Sequence, residues 1–262
     1  MAAGRLHEPE ILVPTLYALV AFCLASSATY LVNDIVDLEE DRRHPVKRNR
    51  PIAAGVVSAP AALTLAVVLA LLSVVAAWLA SGETVALILS YLGLQVAYSL
   101  WLKHEPVLDL AVVAAGFLLR AVAGGVATDL PISQSFLLVA GFGSLYIVSG
   151  KRYSELHTLG SEVGTRRSLV RYSPTYLRFV WTMAGTATVV AYSLWAFEQS
   201  GDGGPAWHAV SIAPFVLGVL RYAADIDAGE AAEPEDIVWG DRVLQAVGVI
   251  WFVFVSLGVL NA

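Results

Sequence analysis

Hydrophobic residues along the 262-residue chain fall into eight long stretches separated by shorter polar segments. A helix rises about 1.5 Å per residue, so about 20 apolar residues are enough to cross a hydrocarbon core of about 30 Å. The stretches are close to that length. The pattern therefore predicts eight membrane-spanning helices, at residues 11–32, 61–80, 84–102, 107–127, 132–149, 176–197, 207–223 and 243–261.

The fold class follows from the same stretches, which are apolar around the whole circumference of a helix and rich in Ala, Val, Leu and Gly. Inside lipid, backbone amides must find hydrogen-bond partners within the protein, which favours helices. Hydrophobic residues make up 57% of the chain and charged residues 15%, which is unlike an ordinary soluble domain. We therefore expect an all-α transmembrane bundle that forms one domain over residues 1–262.

Positive charges are distributed unevenly between the two sides that alternating helices define. The connections on one side (33–60, 103–106, 150–175 and 224–242) all carry Lys or Arg, whereas those on the other side (81–83, 128–131 and 198–206) carry none. The positive-inside rule places the first set in the cytoplasm. We expect a multi-pass plasma-membrane protein whose active site faces the cytoplasm, and no motif indicates nucleic acid binding.

The most informative polar segment directly follows the first predicted span. Asn33, Asp34, Asp37 and Asp41 are spaced so that they lie on one face if the helix continues. Each carboxylate at a helix C-terminus is unfavourable by about 0.3–1 kcal/mol, so a cation is expected to offset them. Oxygen ligands without a Cys or His cluster suit Mg²⁺, with Mn²⁺ as an alternative, and all four residues are candidate ligands.

A basic cluster, Lys47, Arg48 and Arg50, comes six to nine residues after the last of these aspartates. Its side chains are suited to binding phosphate oxygens beside the metal, Arg in a bidentate manner and Lys as a point charge. Two simpler interpretations stay open. The acids could pair with Arg42, Arg43 and Lys47 at a solvated helix end, and the bases could anchor the chain at the membrane surface.

Arg120 and Cys23 stand out within the predicted spans. A charge inside the membrane is costly unless it is paired or faces a watery cavity. Asp109 is three helical turns before Arg120 and about 16 Å away, too far for a direct pair. We expect Arg120 to face the bundle interior and to contact the substrate site or its gate. Cys23, the single cysteine, excludes an internal disulfide and is expected to be buried.

The acidic motif reads N-D-x-x-D-x-x-x-D and is followed by K-R-x-R-P, which resembles the signature of the UbiA superfamily of intramembrane prenyltransferases. Tyr98 and Lys103 also resemble the Y-x-x-x-x-K element of that superfamily. The resemblance implies a UbiA-like helical bundle, normally of nine spans. It also implies that Asp34, Asp37 and Asp41 act in catalysis through Mg²⁺, and that Tyr98 and Lys103 contribute to substrate binding.

The connection after the fifth span departs from the superfamily pattern. Ordinary UbiA-type enzymes carry a second aspartate-rich motif there, but residues 150–162 contain no Asp and have Lys151, Arg152, Tyr153 and Glu155 instead. One acidic and one basic motif favour a ligand with more phosphate than a single diphosphate. We expect Lys151 to act in catalysis and Arg152 to bind phosphate.

Segments over essentially the whole chain resemble a phosphoribosyl-transferring branch of the superfamily, namely HPVKRNRPIAAGVV, GKRYSELH, RAVAGGVAT, YLRFVW and DIDAGEAAEPED. The resemblance implies transfer of 5-phosphoribosyl from 5-phosphoribosyl 1-diphosphate to decaprenyl or another polyprenyl phosphate, for cell-wall arabinan precursors. Tyr153 and Glu155 would then orient the ribose hydroxyls or serve a structural role. The alternative is a prenyltransferase that joins a polyprenyl diphosphate to an aromatic acceptor.

Two further features of the chain are its acidic segment near the C-terminus and the way the sequence begins. Segment 225–241 carries seven acids and is expected to be either a solvated loop or a lid over the polar substrate. Members of the superfamily usually begin with another span, whereas this sequence begins MAAGRLHEPE, so we expect a preceding helix in the natural protein. Contacts with membrane lipids are expected, and a homo-oligomer is possible.

Overall fold

The computed structural model describes residues 8–44, 46–159, 172–200 and 206–261, and all regular structure within them is helical. The middle of the predicted connection 150–175 lies outside these ranges. The described helices are α1 (Pro9–Val36), α2 (Leu38–Arg43), α3 (Ala59–Ala80), α4 (Gly82–Leu100), α5 (Leu108–Thr128), α6 (Gln134–Leu159), α7 (Pro174–Gln199), α8 (Trp207–Val210), α9 (Ile212–Ala228), α10 (Pro234–Gly240) and α11 (Arg242–Leu260), with 3₁₀ helices at Lys47–Asn49 and Leu102–His104.

The predicted spans agree closely with these helices. Seven helical segments in the described part of the chain are long and apolar enough to cross a membrane: α1, α3, α4, α5, α7, the α8–α9 pair and α11. The remaining predicted span, 132–149, overlaps the first part of α6, which has 26 residues and a more polar second half. The all-α class and a count of about eight spans are therefore confirmed.

Polar side chains at the boundaries explain where several spans begin. Ser58 accepts a hydrogen bond from the Ala61 N–H at the start of α3, and Ser81 and Ser173 do the same at α4 and α7. Asp241 Oδ1 accepts the first free N–H groups of α11. These contacts satisfy backbone donors that have no partner within the helix.

The chain divides into two compact units, and the described residues of the first lie between residues 8 and 131. Its described long helices are α1, α3, α4 and α5. Small residues let these helices approach closely, as is usual inside membranes, and Phe22 and Tyr91 meet edge to face at 5.3 Å. The buried cluster consists of Ala21, Phe22, Ala25, Ala76, Ala77, Ile88, Tyr91 and Ala123.

The described residues of the second unit are 132–159, 172–200 and 206–261, with α6, α7, α9 and α11 as its long helices. Aromatic residues dominate its interior, and the Tyr146 ring lies 5.7 Å from that of Tyr222 and 6.5 Å from that of Trp181. A Cβ at Gly185 would stand 3.1 Å from the Tyr146 ring, so glycine allows α7 to pack against α6 here.

Most of the acidic segment 225–241 is helical and not a loop. It includes the end of α9, where Gly229 has φ +78°, and all of α10. Asp225 is buried, whereas Asp241 caps α11 and accepts a hydrogen bond from Arg221. That hydrogen bond holds the pKa of Asp241 below its ordinary value.

Candidate active site

The acidic motif does not lie on one continuous helix, and that prediction is wrong in detail. α1 ends at Val36, Asp37 has φ −89° and ψ 6°, and α2 begins at Leu38. The Asp41 N–H still donates to the Asp37 carbonyl (2.8 Å), so the break is local. We attribute it to the crowding of carboxylates at the negative end of α1. Asn33 lies one turn earlier, where its carbonyl accepts the Asp37 N–H (2.9 Å).

Arg50 lies between two of the three carboxylates. Its Nη1 donates to Asp34 Oδ1 and to Asp41 Oδ2, at 2.8 Å each. The Asp41 side chain is 5% exposed and that of Asp34 22%, so the guanidinium offsets the loss of water around them. Because both oxygens are 2.8 Å from one nitrogen, they lie within about 6 Å of each other. Arg50, predicted to bind phosphate, is here the ion-pair partner of the motif.

A tight turn returns the chain to the acidic motif. The His44 Nδ1 accepts the Lys47 N–H (3.2 Å), the 3₁₀ helix Lys47–Asn49 follows, and the Arg50 N–H donates to the Lys47 carbonyl (2.9 Å). This turn directs the Arg50 side chain toward α1 and α2. Lys47 is half-buried and Arg48 is exposed beside it.

Lys103 neutralises the third carboxylate. Its Nζ forms an ion pair with Asp37 Oδ1, and its side chain is only 7% exposed. The Tyr98 hydroxyl donates to Asp109 Oδ1 (2.8 Å), and Asp109 is fully buried at the start of α5. Both polar groups of the Y-x-x-x-x-K element therefore contact carboxylates. Val107, which precedes α5, has φ +70°, a strained conformation for a β-branched residue.

The carboxylates of Asp34, Asp37 and Asp41 are thus arranged around cations of the chain itself. Within the described ranges, no three His, Cys, Asp or Glu side chains form a group that could hold a metal ion. The donor chemistry nevertheless fits a hard cation, since the motif supplies oxygen atoms and two of its carboxylates already converge on Arg50. Metal binding here requires the carboxylates to exchange Arg50 and Lys103 for the ion.

The basic motif of the second unit lies on α6. Arg152 is 4% exposed and donates to Glu155 Oε2 one turn away (2.8 Å). Tyr153 is equally buried, and its hydroxyl accepts a hydrogen bond from Arg178 Nη2 (2.7 Å). Lys151 is half-buried on the same turn. The groups of Tyr153 and Glu155 that were expected to orient ribose hydroxyls are therefore engaged by arginines in this structure.

Two contacts around this motif were not identified from the sequence. Arg178 also donates to Asp227 Oδ1 (2.7 Å), and the Ala231 N–H donates to Ser154 Oγ (3.1 Å). They attach α7, α9 and the α9–α10 connection to α6. Arg178 is the third residue of the predicted span 176–197, and its side chain is more than half exposed. A charged residue within an apolar stretch is the signal in the sequence that could have identified it.

Arg120 faces the interior of the first unit, as predicted. Its Nη2 donates to the Tyr91 hydroxyl (2.5 Å) and to Ser26 Oγ (3.2 Å). Asp109 bonds to Tyr98 instead, which agrees with the prediction that it does not pair with Arg120. The expectation of a buried Cys23 is wrong, because this residue is exposed. Cys23 lies on a face of α1 that lines a cavity and is not packed in the core.

Together, the spanning helices and the acidic motif at the end of α1 define a class of intramembrane transferases. A model of the UbiA prenyltransferase family matches residues 1–258, and the chain belongs to that family. A UbiA homologue from Archaeoglobus fulgidus, solved with GPP and Mg²⁺ bound, has the same fold. The TM-score is 0.72 at 18% identity, and the match covers 95% of this chain and 87% of that one.

Two other relatives are considerably closer in sequence than the Archaeoglobus fulgidus protein. The decaprenyl-phosphate phosphoribosyltransferase of Mycobacterium tuberculosis is 51% identical over 257 residues, which cover 97% of this chain and 84% of that protein. The protein of the same name from Corynebacterium glutamicum is 45% identical over 269 residues, covering 99% of this chain and 80% of its own length.

Proposed function

We propose that this protein transfers the 5-phosphoribosyl group of 5-phosphoribosyl 1-diphosphate to a polyprenyl phosphate and releases diphosphate. The observation that carries the proposal is the 45–51% identity, over nearly the whole chain, to proteins named for this activity. The product would be a polyprenylphosphoryl 5-phosphoribose for cell-wall arabinan synthesis, with decaprenyl phosphate as the expected acceptor.

The pattern of charges in each unit supports this choice. The first unit has the aspartate motif of the family, whereas the second unit carries Lys151 and Arg152 on α6, in a sequence segment, 150–162, that contains no aspartate. Additional bases suit a donor that carries a 5-phosphate as well as a diphosphate. We assign phosphate binding to Lys151 and Arg152, and a positioning role to Tyr153 and Glu155 through their arginine partners.

Asp34, Asp37 and Asp41, with Asn33 nearby, are the residues that we propose to hold the divalent cation. The structures of a UbiA homologue with bound Mg²⁺ and the oxygen-only donor set support Mg²⁺, with Mn²⁺ as an alternative. When bound, the ion neutralises the developing charge of the departing diphosphate. Release of the carboxylates would free Arg50 to bind phosphate oxygens, as expected from the sequence, and would free Lys103 to contact the substrate.

The remaining chemistry requires alignment more than proton transfer. Loss of diphosphate from the anomeric carbon gives an oxocarbenium-like state, and the acceptor is a phosphate oxygen that is already ionised at neutral pH. No general base is needed. Lys47, Arg48 and Arg50 can bind phosphate groups at the cytoplasmic helix end, where the positive-inside rule places this site. The expected setting is the plasma membrane.

The test is product formation by the purified protein in detergent. Radiolabelled 5-phosphoribosyl 1-diphosphate is incubated with decaprenyl phosphate, and a parallel reaction contains a polyprenyl diphosphate and 4-hydroxybenzoate. Label that becomes lipid-soluble only with decaprenyl phosphate supports phosphoribosyl transfer. A prenylated aromatic product in the parallel reaction, without labelled lipid in the first, would favour the prenyltransferase alternative.

A further inference from the structure

A cavity of about 480 Å³ lies along α1 in the first unit and is not part of the acidic site. Residues of α1 and α5 line it, and we call it the α1–α5 cavity. Its α1 wall extends from Thr15 to Tyr30, which is about 22 Å at helical rise. Its volume lies within the range of small-molecule sites in proteins. Most of its lining is apolar, so it is suited to hydrocarbon.

Arg120 supplies the charge of this cavity. Its described hydrogen-bond partners are the neutral oxygens of Tyr91 and Ser26, and its guanidinium carbon lies 5.2 Å from the ring centres of Tyr91 and Phe117. No carboxylate among the described residues forms an ion pair with it. Both hydrogen bonds come from Nη2, which leaves donors on Nε and Nη1. A guanidinium inside a spanning segment that still has free hydrogen-bond donors is suited to binding an anionic group that is covalently attached to an apolar chain.

The position of the cavity relates it to the acidic motif. Ser26, which contacts Arg120, precedes Asp34 by eight residues on α1, or about 12 Å along the helix axis. Tyr30 also lines the cavity and is one helical turn from Asp34. A phosphate near Arg120 would therefore lie on the membrane side of the acidic motif, with apolar walls beside it for an attached chain.

We infer that Arg120 binds the phosphate of the polyprenyl phosphate acceptor, and that the α1–α5 cavity holds the first part of its hydrocarbon chain. This inference rests on the proposed function for the identity of the ligand. The reasons are a guanidinium that has no ion-pair partner among the described residues, the apolar lining and the proximity of one end of the cavity to the acidic motif. The anion must be attached to hydrocarbon, because a free phosphate gains nothing from the apolar walls.

Cys23 provides a direct test, because it lines the cavity, is exposed and is the single cysteine of the chain. The rate of its modification by methyl methanethiosulfonate is measured in detergent with farnesyl phosphate, farnesol or phosphatidic acid. At a ligand concentration ten times the dissociation constant, occupancy slows the reaction about tenfold. We expect this protection from farnesyl phosphate, and less than about twofold protection from farnesol or phosphatidic acid at equal concentration.

Variants assign the effect to the guanidinium. Arg120→Met and Arg120→Gln should lose the difference between farnesyl phosphate and farnesol, whereas Arg120→Lys should keep most of it. Arg42→Met removes an exposed arginine that does not line the cavity, and Cys23 in this variant should be protected to the same extent as in the unmutated protein. Gln keeps a side-chain amide that can donate hydrogen bonds, so Arg120→Gln provides a second test if the Met variant fails to fold.

Several results would overturn the inference. Equal protection by farnesol would show a site for hydrocarbon alone, and equal protection by phosphatidic acid would show a general phospholipid site. Protection that persists in Arg120→Gln would remove the role of the guanidinium. The measurement needs no donor and no turnover. Arg120-dependent protection without product would therefore refute the proposed function and leave the site intact, whereas product without protection would refute only this inference.

Discussion

Two Arg–Glu pairs in this protein have the same spacing and length but differ in burial. Arg152 and Glu155 are separated by 2.8 Å, with side chains 5% and 19% exposed. Arg42 and Glu39 are also three residues apart and separated by 2.8 Å, with side chains 49% and 72% exposed. Replacing each arginine with Met removes the charge and keeps most of the stem, so the two variants compare a buried pair with an exposed one.

The expected losses in the free energy of unfolding differ severalfold between the two variants. At this separation, the attraction between unit charges is about 1.5 kcal/mol in a water-like dielectric and about 6 kcal/mol at an effective dielectric constant near 20. Most of this is offset by desolvation, but removing one partner of a buried pair leaves the other charge without compensation and costs about 3–5 kcal/mol. We predict a loss of about 3 kcal/mol for Arg152→Met, since Glu155 keeps some contact with water. The loss for Arg42→Met should be below about 0.5 kcal/mol.

The measurement is unfolding of the purified variants in detergent, followed by tryptophan fluorescence at neutral pH. The double variant Arg152→Met, Glu155→Leu removes the orphaned carboxylate and should recover part of the stability, which a double-mutant cycle quantifies. Equal losses in the two single variants would refute the reasoning. The reasoning would also be refuted if the double variant lost more free energy of unfolding than the two single variants together.

Two more predictions concern stability. Tyr98→Phe removes the donor to the buried carboxylate of Asp109 and should lower the free energy of unfolding by about 1.5–3 kcal/mol in the same assay. Tyr17→Phe, at an exposed position on α1, should leave the free energy of unfolding almost unchanged. Equal losses would contradict the assigned contact. Gly229→Ala and Gly55→Ala both place a side chain at a positive φ, which costs about 1–2 kcal/mol. Gly229→Ala should lower the melting temperature more, because its Cβ would also stand 2.5 Å from a histidine ring; an equal drop would argue against that crowding.

Much of the fold could be predicted because lipid leaves few choices for the backbone. Continuous apolar stretches of about 20 residues form helices in this environment, and seven of the eight predicted spans coincide with apolar helices. The segment 225–241 was harder to predict. Its acids suggested a loop, but the positive φ at Gly229 and the cap at Asp241 allow compact helices on both sides of a short connection.

The types of residue at the candidate site could be predicted, but their pairing could not. The motif predicted converging carboxylates, and Asp34 and Asp41 do converge on one group. That group is Arg50, and the third carboxylate pairs with Lys103, which is 66 residues from Asp37 in sequence. Local spacing carries no information about contacts of that range, so ion pairs with distant bases could not be deduced from helical periodicity.

The measurement that tests the central claim most directly is diphosphate release from 5-phosphoribosyl 1-diphosphate, with and without polyprenyl phosphate, in Mg²⁺ or in EDTA. We predict release only when both lipid phosphate and Mg²⁺ are present. Asp37→Asn should lower kcat/KM by about 100-fold or more, whereas Glu40→Gln, a nearby exposed acid on α2, should leave it within about twofold. Lipid-dependent release that continues in EDTA, or at full rate in Asp37→Asn, would contradict the account.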